Sequence, residues 1–177
     1  MNYATIKTCD IANGTGVRVS LFVSGCTHHC PGCFNSQAWD FSYGEPFDEG
    51  VQDYLLSLLS RSYIDGLTLL GGEPFETENQ RALLPFLERV KRELPEKTVW
   101  AYSGYTYEQL TGTGAPVCEA TEKMLGLIDI LVDGRFIEEK KNIRLLFRGS
   151  ENQRIIDMAK TRAAGAPVLW EEPKKGI

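Results

Sequence analysis

No run of apolar residues in this 177-residue chain approaches the roughly 18 that a membrane span requires, so no membrane association is expected. The opening MNYATIKTCD lacks the charged-then-apolar layout of a secretory signal. The expected compartment is therefore the cytoplasm, where thiols stay reduced. An excess of positive charge is also lacking, with 19 Lys and Arg against 24 Asp and Glu. A formal net charge of −5 argues against a nucleic-acid partner. Local clusters such as Glu138-Glu139-Lys140-Lys141 mix signs and read as solvated surface turns. There is no internal repeat beyond a βα unit, and no low-complexity segment.

What is present fits one globular domain. The length allows a real core, and 42% hydrophobic with 24% charged residues is ordinary for a folded protein. Five cysteines make an odd count, with three of them inside eight residues. That is a poor disulfide framework and a good metal-ligand set.

Strand and helix patterns alternate. VRVSLFV at 17–23 is rich in β-branched and aromatic residues and reads as a strand, followed by the cysteine loop. Asp48 is placed to cap a helix running through 51–63, with Val51, Leu55, Leu58 and Leu59 on one face. LTLL at 67–70 is a short buried strand that ends at Gly71-Gly72. Thr77 and Gln80 have the spacing of a capping box. Behind them Leu83, Leu84, Leu87, Val90 and Leu94 form an amphipathic stripe, which Pro85 is expected to bend or restart. TVWAYS at 98–103 is a third strand, 117–127 a helix, and IDILVD at 128–133 a fourth strand.

This order predicts an α/β fold with a mainly parallel sheet, because right-handed βαβ crossovers build such sheets. Working loops in these folds lie at the carboxyl ends of the strands. Here those ends carry the cysteine loop, Gly71-Gly72-Glu73-Pro74, Ser103-Gly104 and Asp133-Gly134. The domain is expected to span 1–163. Residues 164–177, with Pro167, Pro173 and Lys174-Lys175, read as a loosely ordered extension.

GCTHHCPGC sets Cys26, Cys30 and Cys33 at spacings of three and two intervening residues. Three readings compete. An iron–sulfur cubane held by three thiolates leaves one iron open for a ligand. Structural zinc needs a fourth ligand from His28, His29, Cys9 or Cys118. A dithiol redox pair at Cys30 and Cys33 leaves Cys26 without a role. The position directly after the first strand favours a cofactor, and Pro31 and Gly32 shape a backbone able to wrap an inorganic core. On composition alone Gly71-Gly72 is a tight turn, Asp133 a turn former, His28 and His29 exposed loop residues, and Cys9 and Cys118 small buried hydrophobes. A turn accounts for Gly14, Gly16 and Arg18.

A C-x3-C-x2-C loop after the first strand, then a glycine pair with an acid after the second, resembles the radical S-adenosylmethionine (SAM) superfamily. LFVSGCTHHCPGCFN, SGY at 103–105, LVDGRF at 131–136 and RGSENQ at 148–153 resemble its glycyl-radical-enzyme activases, in colinear order over about 1–157. The resemblance implies a partial, open β/α barrel, a 4Fe–4S cluster on Cys26, Cys30 and Cys33, and SAM as second cofactor. It implies SAM contacts from Gly32, Cys33, Phe34 (against adenine), Gly71, Gly72, Glu73, Ser103, Asp133 and Arg135. In related activators an Asp stands at the position of Glu73. The implied partners are the large subunit of an anaerobic ribonucleoside-triphosphate reductase, or a pyruvate formate-lyase type enzyme, and an electron donor such as a flavodoxin or ferredoxin. A zinc-stabilised module without catalysis is the alternative from another class.

Overall fold

The computed structural model describes residues 1–114 and 116–171. Its elements are β1 (Asn2–Asp10), β2 (Arg18–Val23), β3 (Glu45–Pro46), α1 (Glu49–Leu59), β4 (Gly66–Gly71), α2 (Thr77–Glu93), β5 (Thr98–Tyr102), α3 (Tyr107–Leu110), α4 (Thr121–Leu127), β6 (Ile130–Asp133), β7 (Arg154–Asp157) and α5 (Met158–Ala164). The strands form one mixed sheet in the order β3-β1-β2-β4-β5-β6-β7. The four strands expected from the sequence are its parallel centre. β1, β3 and β7 were not expected, and all three join antiparallel. The sheet is thus mixed rather than mainly parallel. β1 escaped notice because all of its residues but Asp10 are exposed or only partly buried, which blurs the alternation that marks a strand.

The central strands read as unbroken apolar runs because both of their faces are covered; every residue of β2 is buried. Side chains alternate between faces. Val19, Leu21, Val23, Leu67, Leu69, Val99, Ala101 and Leu131 join the helix-side core with Leu55, Leu83, Leu87 and Met124. Each buried Val, Leu or Met side chain of this set contributes about 1.5–3 kcal/mol. On the other face Trp100, Ile130, Val132 and Ile155 form a smaller cluster beside polar Ser20 and Thr68.

Asp48 caps α1 as expected, accepting from the Val51 N–H at 3.0 Å, although the helix ends at Leu59. The capping box of α2 is absent. Glu76 is the N-cap and makes no side-chain cap bond, while Gln80 donates to the Phe75 and Pro116 carbonyls. A buried tertiary network has outcompeted the local motif. Pro85 does not restart α2. It lies on the exposed face, where water can serve the Arg81 carbonyl that Pro85 leaves without a helical donor. Beyond α5, Gly165 caps the helix in the left-handed region and the chain folds back. Leu169 bridges to Ile156, and the Trp170 ring meets Trp100 edge-on at 5.7 Å. Within the described part of the extension Trp170 thus packs on the Trp100 cluster, while Leu169 stays exposed. Pro173, Lys174 and Lys175 lie outside the described residues. No helix among those described is long and apolar enough to cross a membrane.

Candidate functional site

The loops after β2, β4, β5 and β6 converge on one cavity of about 440 Å³. Cys26, Cys30, Gly32, Cys33 and Phe34 line it from the first loop. Gly71, Gly72 and Glu73 come from the second, Ser103 and Gly104 from the third, and Gly134 and Phe136 from the fourth. The volume falls within the range of small-molecule sites.

The cysteine loop is held by its own backbone. The Gly25 N–H donates to the Ala38 carbonyl at 2.8 Å, and the Cys26 N–H to the Trp39 carbonyl at 3.2 Å. Gly25 has a φ of 92°, and the Phe41 ring occupies the space a Cβ would need. Burial pushes the Cys26 thiol up to about 12, against the His28 and His29 N–H groups that reach its sulfur; the Glu73 carboxylate acts in the same direction as burial. A thiol that resists ionisation alone suits bonding to iron, which supplies the missing positive charge. Among the described residues no three His, Cys, Asp or Glu side chains stand close enough to share a single metal ion. Cys26, Cys30 and Cys33 nevertheless line one cavity from a single loop, and three thiolates are a donor set that a 4Fe–4S cluster takes.

Glu73 is the hub of the rim. Its carboxylate is buried and accepts four hydrogen bonds: from the Phe75 N–H at 2.8 Å, Ser103 Oγ at 2.9 Å, the Gly104 N–H at 2.7 Å and His28 Nε2 at 2.9 Å. One side chain thereby ties the cysteine loop to the turns after β4 and β5. A carboxylate has about four acceptor positions, so this one is saturated. His28 is accordingly not the exposed loop residue expected; its ring packs on Tyr105 at 4.3 Å. His29 is exposed but stacks on Trp39 at 4.6 Å. Gly72 is needed for a close approach of backbones. A Cβ there would stand 2.5 Å from the Gly25 carbonyl, which belongs to the cysteine loop.

Two expected residues stand apart. Asp133 is buried and paired with Arg154, also accepts from the Tyr107 N–H at 2.7 Å, and does not line the cavity. Its carboxylate serves the frame. Arg135 lies outside the cavity lining and donates to the His28 carbonyl, so it clamps the cysteine loop from behind. Phe34 does line the cavity yet is 86% exposed. Cys9 is exposed on β1, contrary to expectation, and Cys118 is half-buried beside Gln80 and Thr121.

Of two further residues on the cavity face, Tyr102 went unnoticed in the sequence, and Arg18 was ascribed to a turn although it opens β2. Arg18 is fully buried, donating to Thr68 Oγ1, Thr98 Oγ1 and the Thr15, Leu67 and Thr98 carbonyls. Desolvation pulls its guanidinium down to about 10. Tyr102 lines the cavity, and its enclosed hydroxyl has no hydrogen-bond partner among the described residues. A buried orphan hydroxyl destabilises a ligand-free protein and is a natural contact for a bound molecule. Neither residue had a sequence signal stronger than its place in a strand.

Residues 12–156 match the family described as a 4Fe-4S single cluster domain. The chain is 43% identical over 155 residues to the anaerobic ribonucleoside-triphosphate reductase-activating protein of Haemophilus influenzae, an alignment covering 86% of this chain and 96% of that protein. It is 37% identical to the protein of the same name from Escherichia coli K12, with the same 86% and 96% covered. It is 39% identical to that of Enterobacteria phage T4, with 88% of this chain and 93% of the relative covered. The chain belongs to the family of anaerobic ribonucleoside-triphosphate reductase-activating proteins.

Proposed function

We propose that this protein is a radical SAM enzyme that activates an anaerobic ribonucleoside-triphosphate reductase by placing a glycyl radical on its large subunit. The observation that carries the reading is the convergence of Cys26, Cys30 and Cys33 with the glycine-edged rim on one cavity, in a chain 37% identical or more to the activating proteins. The three cysteines hold the 4Fe–4S cluster, leaving one iron for SAM. The unit that does this is residues 1–163, read as an open, partial β/α barrel around β2, β4, β5 and β6, with 164–177 as its extension. The cytoplasm is its compartment, and a flavodoxin or ferredoxin its electron donor.

When bound, the reduced cluster and SAM together supply a 5′-deoxyadenosyl radical able to take a hydrogen atom from a glycine Cα. Everything else falls to the protein. Gly71 and Gly72 bring backbone to the rim, where carbonyls receive the SAM ammonium. Glu73 contributes by fixing those turns, since its own acceptor positions are filled. Ser103 holds Glu73, and Gly32 and Cys33 set the loop's curvature. Phe34 covers the adenine, a role its exposure leaves open to it. Asp133 and Arg135 support the site from outside the cavity. The test is anaerobic: protein, SAM, reductant and the reductase are mixed and examined by electron paramagnetic resonance. A glycyl doublet on the reductase is expected. A doublet on a pyruvate formate-lyase type enzyme and none on the reductase would move the assignment there.

A further inference from the structure

The segment between β6 and β7 carries a run that the cofactor chemistry does not use. Residues 140–148, KKNIRLLFR, hold four cations and no acid in a chain of net charge −5. The run is anchored at both ends. Lys141 bridges to Ser150, the Asn142 N–H donates to the Gly149 carbonyl, and the Phe147 ring meets Trp100 edge-on at 5.4 Å. Between those anchors it lies over the cavity mouth, with Lys141, Ile143, Leu145, Phe147 and Arg148 in the lining.

Arg81, Arg89, Lys91, Arg92 and Arg154 each pair with an acid on the surface. Among the described residues Lys140, Lys141, Arg144 and Arg148 form no ion pair. Among the described residues Lys7, Arg61, Lys123 and Arg162 also lack an ion pair, but only at 140–148 do four such cations fall within nine residues. Like charges held this close repel one another and gain nothing from being left so. Two large apolar side chains share the run in the open: Ile143 is 91% exposed and Leu146 51%. Phe34 is exposed at the same cavity.

We propose that 140–148 is the docking surface for the protein substrate, and that it receives an acidic segment with apolar side chains next to the glycine that enters the cavity. This rests on the functional reading above and specifies where its partner sits. Unpaired cations favour an acidic partner, exposed Ile143 and Leu146 favour a polypeptide over a small anion, and continuity with the cavity favours the chain that must reach into it. An acidic electron donor could share the charges but has no need to enter the cavity.

The test uses the double variant Lys140→Glu, Arg144→Glu, since both residues are exposed and neither lines the cavity. Binding to the reductase is measured by calorimetry at two salt concentrations, beside SAM cleavage with dithionite in the absence of reductase. Expected are unchanged SAM cleavage, at least a roughly tenfold loss of affinity for the reductase, and a weaker salt dependence. Arg144→Lys should keep the wild-type affinity. Unchanged affinity in the double variant overturns the proposal, as does a defect seen only when a flavodoxin replaces dithionite. Failure of the wild-type protein to cleave SAM would instead strike the functional reading and leave binding to be judged by calorimetry.

Discussion

The two faces of the central sheet are built from the same strands and do opposite things. The helix side alternates Leu, Val and Ala and packs them against α1, α2 and α4, where the buried polar Asn79, Gln80 and Thr121 are hydrogen-bonded. The cavity side sets Arg18, Ser20, Thr68 and Tyr102 among Trp100, Ile130 and Val132, and above it the strand ends carry the cysteines and Glu73. One face supplies stability through area removed from water. The other keeps polar groups in fixed places, and at Tyr102 it tolerates an unmet hydrogen bond. Stability and site thus fall largely on opposite faces, and substitutions should respect the division.

The largest effect is expected at the site. Cys26→Ala, Cys30→Ala or Cys33→Ala should each abolish SAM cleavage and iron retention, measured by metal analysis of anaerobically purified protein. Cys9→Ala and Cys118→Ala should leave both intact. Retention of the cluster in Cys26→Ala with its loss in Cys118→Ala would void the ligand assignment. On the helix face, Leu69→Ala removes a fully buried side chain and should cost about 3 kcal/mol in denaturant unfolding. The cluster spectrum of the protein that remains folded should not change.

Much of this division was legible in the sequence, and the gaps have physical causes. The parallel centre showed itself because buried strands read as continuous apolar runs, and the cysteine spacing marked the loop that follows β2. β7 was missed because it is a four-residue edge strand, and β1 because only the two-residue β3 covers its outer side, leaving most of it without a clear pattern. Thr77 and Gln80 misled because a capping box is a local motif, while Gln80 is claimed by Phe75, Pro116 and Thr121 from elsewhere in the fold. Asp133 and Arg135 were expected as SAM contacts. The pairing of Asp133 with Arg154, 21 positions on, could not be read from either residue's neighbours. Glu73 was placed correctly at the rim, but its four donors come from three segments, so its saturation is visible only in three dimensions.

Smaller effects sharpen the same contrast. Tyr102→Phe removes a hydroxyl that has no partner among the described residues. It should raise the chain's stability by about 1 kcal/mol in thermal or denaturant unfolding. Lower stability in this variant would mean that a buried water already satisfies the hydroxyl. The smallest effect concerns Glu108, whose hydrogen bonds with Arg154 hold its carboxyl down at about 2, below an ordinary 4.5. A depressed carboxylate stabilises the fold above its unfolded value and loses that contribution as pH falls from about 4.5 toward 2. The pair is largely exposed, so roughly a few tenths of a kcal/mol are at stake. Urea midpoints at pH 6 and pH 3 should differ less in Glu108→Gln than in the parent chain.

The central claim is that three cysteines hold a cluster with one iron left for SAM. It is met most directly by electron paramagnetic resonance of the anaerobically reconstituted, reduced protein before and after SAM is added. The account predicts the signal of a reduced 4Fe–4S cluster whose shape changes when SAM binds, in the parent chain and in Cys118→Ala alike. A protein that takes up zinc without iron and sulfide, or a cluster signal indifferent to SAM, would contradict it.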